Sequence, residues 1–174
     1  MKAAIVGGGL IGGGWAARFL LSGWDVAIYD NSVAARVRVE QVLANARRTL
    51  PLLYDQPLPP EGNLTFDGVL ETVIEDADWI QESVPERVDV KFEVYARIGA
   101  AMRPDAIVGS STSGFKPSDL AAGFARPGQF LVVHPFNPVY LLPLVELVPS
   151  QLTAGPVIDA ASETLSSLGM YPLL

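Results

Sequence analysis

AAIVGGGLIGGG, residues 3–14, decides the fold. Ala3 to Val6 is a short apolar run of the kind that forms a central parallel strand. It stops at Gly7, and Gly7-Gly8-Gly9-Leu10-Ile11-Gly12 has the spacing G-x-G-x-x-G. The glycines have separable tasks. Gly7 permits a tight turn, Gly9 lets a pyrophosphate approach the backbone, and Gly12 lets a helix lie close to the strand. Ala16, Phe19 and Leu20 then follow a helical pattern, and that helix would meet the phosphates with the free N–H groups of its first turn, from Leu10 and Ile11 onward. Gly12, Gly13 and Gly14 in succession would weaken a helix by roughly 1 kcal/mol each relative to alanine. Close approach explains them better than helix stability.

Outward from this stretch, Ser22-Gly23 closes the helix, Val26 to Tyr29 forms a second strand, and Asp30 ends it, 18 residues after Gly12. An acid at that place accepts hydrogen bonds from the adenosine ribose hydroxyls and repels a 2′-phosphate. No arginine follows before Arg36, so NAD is favoured over NADP. By itself Asp30 also reads as a helix cap or turn residue. Strand, glycine loop, helix, strand and acid together predict an α/β domain: a Rossmann-type doubly wound, mostly parallel sheet with helices on both faces, spanning residues 1–174 as a single NAD-binding unit.

The pattern continues in the same style. A helix is predicted over 31–50, with Val33, Val37, Val39, Val42 and Leu43 on its apolar side, then a proline-rich surface loop over 51–63. A short helix over 68–76 leads to a strand over 78–82, followed by Ser83-Val84-Pro85-Glu86 at the edge where ligands sit in such sheets. Residues 87–102 are amphipathic, with Val88, Phe92, Val94, Ile98 and Met102 apolar. On pattern alone Arg87, Lys91 and Arg97 form a solvated face, and Met102 and Trp15 belong to the core. A strand over 106–109 ends in Ser110-Ser111-Thr112-Ser113, which is either turn chemistry or a hydrogen-bonding shelf for a ligand. A helix over 117–122 follows, and the chain finishes with a helix over 157–167 and the start of a strand at Tyr171.

FLVVHPFNPVYLLPLVELVP, residues 130–149, holds the only histidine, His134, and a carboxylate, Glu146, in an apolar run. Runs at Phe130–Val133 and Leu141–Val145 predict neighbouring buried strands. A glutamate buried there needs a partner. An imidazole at the end of the adjacent strand is the nearest one, with Pro135, Pro138 and Pro143 fixing the crossing. A carboxylate that orients a histidine makes a general base. On this stretch alone, a core histidine bonded to a carbonyl and a glutamate reaching solvent read equally well.

Composition narrows the field. The net charge is −7 and the twelve lysines and arginines are scattered, which leaves no nucleic-acid footprint. The absence of cysteine excludes disulfides, zinc–thiolate sites and thiol nucleophiles, and a single histidine disfavours a histidine metal cluster. The uncharged stretch after Lys2 has the look of a weak signal peptide, but its patterned glycines argue for a folded loop and it is shorter than the ~20 apolar residues of a membrane span. A cytoplasmic protein with no membrane association is expected.

The strings GGGLIGGG, SVPERVDVK (83–91), SSTS (110–113) and HPFNPVYLLPLVELV (134–148), with Asp30, resemble the 3-hydroxyacyl-CoA dehydrogenase superfamily over essentially the whole chain. DWIQESVPER (78–87) and GSSTSGFKPS (109–118) are most similar to its branch acting on L-carnitine. The resemblance implies NAD-dependent oxidation of a secondary alcohol, with L-carnitine as substrate or, alternatively, a 3-hydroxyacyl-CoA or another 3-hydroxy acid. The length of the chain also allows an isolated, non-catalytic NAD-binding module. It makes His134 the base, Glu146 its orienting partner and Ser113 the hydroxyl that binds the substrate oxygen. Asp30, Glu86, Lys91, Ser111 and Asn137 would line the NAD site. Phe115 and Tyr140 could face a trimethylammonium group through cation–π attraction or could be ordinary packing. Residues 31–65 hold no lysine, where the acyl-CoA enzymes carry a longer, lysine-rich segment; this favours a small substrate over CoA. Members of the superfamily continue into a helical domain that dimerises and completes the site. The expectation is therefore that these 174 residues bind NAD but turn over substrate poorly, and that the full-length protein is a homodimer.

Overall fold

In β1 (Lys2–Val6), Ala3 and Ile5 belong to one core cluster and Ala4 and Val6 to another, all four fully buried. A strand covered on both faces needs helices on both. The computed structural model, which describes residues 1–174, is built that way. The elements run α1 (Leu10–Leu21), β2 (Asp25–Tyr29), α2 (Val33–Thr49), β3 (Leu64–Asp67), α3 (Leu70–Ile74), β4 (Trp79–Glu82), α4 (Val88–Ala101), β5 (Ile107–Ser110), α5 (Pro117–Ala121), β6 (Phe130–Pro135), β7 (Leu144–Pro149), α6 (Gly155–Ser167) and β8 (Tyr171–Leu173). They form one eight-stranded sheet in the order β3-β2-β1-β4-β5-β6-β7-β8. Every neighbouring pair is parallel except β6 and β7. The direction of winding reverses between β1 and β4, the switch point at which such sheets open a crevice at their carboxyl edge.

The two faces have distinct cores. Trp15, Phe19 and Leu20 of α1, Val39 and Leu43 of α2 and Leu165 of α6 cover one. Leu70 and Ile74 of α3, Val94, Tyr95 and Ile98 of α4 and Leu120 of α5 cover the other. Met102 is buried in the second core as expected, and Trp15 in the first. No helix is long and apolar enough to cross a membrane.

Four expectations are corrected. In α2, Val33 and Val37 are 96% and 55% exposed, and the buried residues are Ala35, Val39, Val42, Leu43 and Ala46. The face is chosen by α1: a Cβ on Gly13 would lie 3.4 Å from Val42, so α2 must present Val39 and Val42 there. In α4, Val88 and Phe92 are exposed while Lys91 is buried, the reverse of the pattern-based reading; the reason is a carboxylate on β4, described below. The expected loop over 51–63 does not start irregular: a 3-10 turn, Leu50–Leu53, runs into it. The strand carrying Glu146 begins at Leu144, not Leu141. The N–H groups of Leu141 and Leu142 bond to the Pro138 carbonyl, and Pro143 has no N–H to donate.

Candidate active site

The glycine loop is held by contacts that no side chain could share. Gly7 has φ +107°, in the left-handed region, and a Cβ there would sit 2.5 Å from the Ser83 carbonyl oxygen. A Cβ on Gly12 would fall 1.8 Å from the Gly7 carbonyl oxygen, so α1 rests directly on the turn that precedes it. A Cβ on Gly14 would lie 2.8 Å from Val139, which brings α1 against the segment after β6. Gly9, in contrast, has nothing within 4 Å of its missing side chain and leaves the loop open outward. The first helical hydrogen bond of α1 runs from the Gly13 N–H to the Gly9 carbonyl, so the N–H groups of Leu10, Ile11 and Gly12 have no helical acceptor. Asp30 Oδ2 accepts from the Gly8 N–H at 2.6 Å and Oδ1 from the Ser32 N–H at 2.7 Å, and each oxygen keeps a lone pair for a ribose hydroxyl. An open glycine turn on a helix N-terminus, with an acid at the next strand end, fits the pyrophosphate and adenosine ribose of NAD.

Three hollows run along the carboxyl edge of the sheet. The first, about 700 Å³, is lined by Gly7, Gly9, Asp30, Ser83 and Val84 among others. The second, about 190 Å³, shares Ser83 and Val84 with it and adds Ile11, Glu86, Lys91, Ser111 and Ser113. The third, about 270 Å³, shares Ser113 and is walled by Thr112, Phe115, Lys116, His134 and Glu146. Ser83 and Val84 are common to the first two and Ser113 to the last two, so the three lie side by side as a trench from Asp30 to His134.

At its far end, β6 and β7 pair antiparallel with His134 opposite Glu146. Directly opposed residues share a face, and Nδ1 of His134 lies 2.8 Å from Oε2 of Glu146. With Nδ1–H donating to the carboxylate, Nε2 is left as a proton acceptor, a tautomer inferred from the bonding. The Phe136 ring lies 5.7 Å from the imidazole, tilted by 56°.

The hydroxyl run after β5 is tied to the trench floor. Ser111 Oγ accepts from Trp15 Nε1 at 3.2 Å and Gln81 Nε2 at 2.9 Å. Thr112 Oγ1 and the N–H groups of Ser113 and Gly114 all donate to Glu86 Oε1. Burial alone would raise the Glu86 pKa, but the Thr112 hydroxyl, the Lys91 charge and the Gly114 N–H outweigh it and hold the carboxyl below its ordinary range. Ser113 gives this net only its N–H, and the residue lines both the second hollow and the His134 hollow.

Beneath the second hollow lies the buried carboxylate of this protein, Glu82. It accepts from Lys91 Nζ at 2.8 and 2.9 Å, from Tyr95 OH at 2.7 Å, from Ser110 Oγ at 2.6 Å and from the Val84 N–H at 2.8 Å. This is what draws Lys91 inward. Burial, and then the Glu82 charge, push the Tyr95 phenol far above its usual pKa.

Most of the expected residues meet in the trench: Gly7, Gly9, Ile11, Asp30, Glu86, Lys91, Ser111, Ser113, Phe115, His134 and Glu146. Leu10 is 60% exposed at the start of α1. Asn137 is exposed between β6 and β7 and lies outside the three hollows. Tyr140 packs against the core on the α1 face and lines none of them, so it is not brought to the His134 hollow. Glu82, Tyr95, Lys116 and Phe136 escaped the reading of the sequence. The available signals were a carboxylate at the end of the strand Trp79-Ile80-Gln81-Glu82, and an aromatic two residues past the histidine.

The family model of the 3-hydroxyacyl-CoA dehydrogenase NAD-binding domain matches residues 2–174. Over 171 residues the chain is 58% identical to an L-carnitine dehydrogenase/betainyl-CoA thioesterase of Ruegeria pomeroyi, covering 98% of this chain and 35% of that protein. It is 49% identical to an L-carnitine dehydrogenase of Mesorhizobium japonicum, covering 99% of this chain and 48% of that one. A crystal structure of 5-formyl-3-hydroxy-2-methylpyridine 4-carboxylic acid 5-dehydrogenase, an NAD+-dependent dismutase, superposes with a TM-score of 0.89 at 29% identity, covering 99% of this chain and 56% of that one. The chain thus spans between a third and a half of the two named relatives.

Proposed function

The chain belongs to the 3-hydroxyacyl-CoA dehydrogenase family as its NAD-binding domain, and from that premise we propose that it carries the NAD site and the proton-transfer pair of an L-carnitine dehydrogenase. The observation that carries this reading is the His134–Glu146 pair on the wall of a hollow that shares Ser113 with the next one toward the glycine loop. NAD binding alone requires neither residue.

Gly9 and the α1 N-terminus would hold the pyrophosphate and Asp30 the ribose. NAD+, when bound, supplies the acceptor for the hydride from the carbinol carbon. His134 Nε2 takes the hydroxyl proton, Glu146 keeps the ring oriented and stabilises the imidazolium, and the Ser113 hydroxyl holds the substrate oxygen. A positioned base of this kind contributes typically about 10²–10⁴-fold.

Two features favour L-carnitine among alcohols of this class. Lys116 is the one lysine or arginine lining the His134 hollow, and offers a partner for a free carboxylate that a thioester lacks. Phe115 lines the same hollow and Phe136 stands beside the imidazole, so aromatic faces are at hand for a trimethylammonium group. NAD+ reduction by the full-length protein, measured in parallel with L-carnitine, 3-hydroxybutyrate and 3-hydroxybutyryl-CoA, tests the reading. Carnitine is expected to give the highest kcat/KM; preference for the CoA thioester would overturn the substrate assignment.

A further inference from the structure

Three charged side chains meet at the second hollow. Lys91 Nζ is bound to both oxygens of Glu82 and lies 3.2 Å from Glu86 Oε2; Lys91 and Glu82 are 1% and 0% exposed, and Glu86 is 43% exposed. The remaining groups on this cluster are neutral donors: the Tyr95 and Ser110 hydroxyls and the Val84 N–H toward Glu82, the Thr112 hydroxyl and two backbone N–H groups toward Glu86. The nearby Arg87 is turned to Asp89 and balanced by it. However the proton is shared between Lys91 and Glu82, that pair sums to zero. Glu86 then leaves the wall with one net negative charge.

This placement matters because a nicotinamide ring carries a positive charge when oxidised and none when reduced. On the reading of the trench as an NAD site, on which this inference rests, the nicotinamide end is the end nearest His134, between Ser83, Ser111 and Ser113. We propose that Glu86, fixed by the neutral Lys91–Glu82 pair behind it, makes this wall discriminate between the two redox states of the cofactor and favours NAD+ over NADH. Lys91 is then a positioning residue: it removes the charge of Glu82 from the balance and holds Glu86 at the hollow. The same bias loosens NADH once hydride has arrived, which favours its exchange for NAD+.

The test is the ratio of dissociation constants, because NAD+ and NADH share the same pyrophosphate and riboses and differ in ring charge. Both are titrated by calorimetry against wild type, Glu86→Gln and Asp30→Asn. The glutamine keeps the acceptor for Thr112 and loses the charge. Glu86→Gln is expected to raise Kd(NAD+)/Kd(NADH) roughly three- to tenfold at low salt, as expected for removing one charge near a partly exposed site. Asp30→Asn, at the other end of the trench, should weaken both dinucleotides and leave the ratio within about twofold. An unchanged ratio in folded Glu86→Gln overturns the inference while leaving the NAD site intact; failure of wild type to bind either dinucleotide overturns the NAD reading itself. If Glu86→Gln does not fold, salt carries the test on wild type. Raising ionic strength to about 1 M shortens the screening length to about 3 Å and should erode the preference for NAD+; a ratio indifferent to salt overturns it.

Discussion

The imidazole of His134 and the carboxylate of Glu146 touch at 2.8 Å across the β6–β7 pair, yet neither is buried: 27% and 42% of their side chains are exposed. The pair is therefore held by strand register and not by a dry pocket, and the imidazole keeps an open side toward the hollow. In the full-length protein His134→Ala should lower turnover by about 10²–10⁴-fold and leave the NAD+ dissociation constant within about twofold, read by steady-state kinetics beside calorimetry. Glu146→Gln should keep the fold and lose a smaller part of the rate, since an amide can accept from Nδ1–H but does not stabilise an imidazolium. Full activity in either variant contradicts the assigned roles.

The two ends of the proposed substrate should separate in mutants. Lys116→Met is expected to raise KM for both L-carnitine and 3-hydroxybutyrate, about tenfold, because both carry the carboxylate. Phe115→Leu should raise KM for L-carnitine alone, by roughly two- to tenfold, the scale of a cation–π contact. Tyr140→Leu, partly buried against the first core, should instead lower the melting temperature with KM unchanged.

Gly9 and Gly12 should fail in different ways. A methyl at Gly9 meets nothing in the protein. Gly9→Ala should then melt within about 2 °C of wild type and bind NAD+ at least about tenfold more weakly, because the pyrophosphate loses its approach. A methyl at Gly12 overlaps the Gly7 carbonyl. Gly12→Ala should lower Tm by roughly 4 °C or more, as overpacking by 1–3 kcal/mol predicts for a domain of this size. Circular dichroism melts with and without NAD+ distinguish the two.

Stability should also depend on acid through Glu71. Arg97 donates to both its oxygens, Nε at 2.8 Å and Nη2 at 2.9 Å, joining α4 to α3. Those bonds first, then the residue's own backbone N–H, pull the carboxyl down to about 2. A folded pKa below the unfolded value of about 4.3 gives stability that is present above pH ~4.3 and lost as pH falls toward 2. Wild type should melt roughly 1–4 °C above Glu71→Gln at pH 6, the scale of an exposed ion pair, with the gap closing by about pH 2. A gap independent of pH would mean the pair does not titrate as described.

Much of this was legible because the informative residues lie close together in the chain. The glycine turn, α1, β2 and Asp30 form one continuous unit, and His134 and Glu146 are joined by a single antiparallel connection. What escaped the sequence depends on partners elsewhere. On pattern Lys91 is one of several cations on an amphipathic helix; its burial is dictated by Glu82 on β4, whose two oxygens accept from it. The exposed face of α2 could not be read from its own valines, because the contact that selects the buried side belongs to Gly13 of α1. Tyr140 sits near the histidine in sequence, but it lies on the far side of the sheet.

The opposition of His134 to Glu146 also limits how this hairpin can tolerate insertions and deletions. Side chains alternate along a strand, so a slip of β7 by one residue against β6 would turn Glu146 toward the α1 and α6 core and Val145 and Leu147 toward the hollow. A frame error of one position would therefore remove the acid from the base and bury it without a partner in the same event. Length variation in this part of the molecule should accordingly collect between the two strands, where the register can absorb it, and be excluded from residues 144–147.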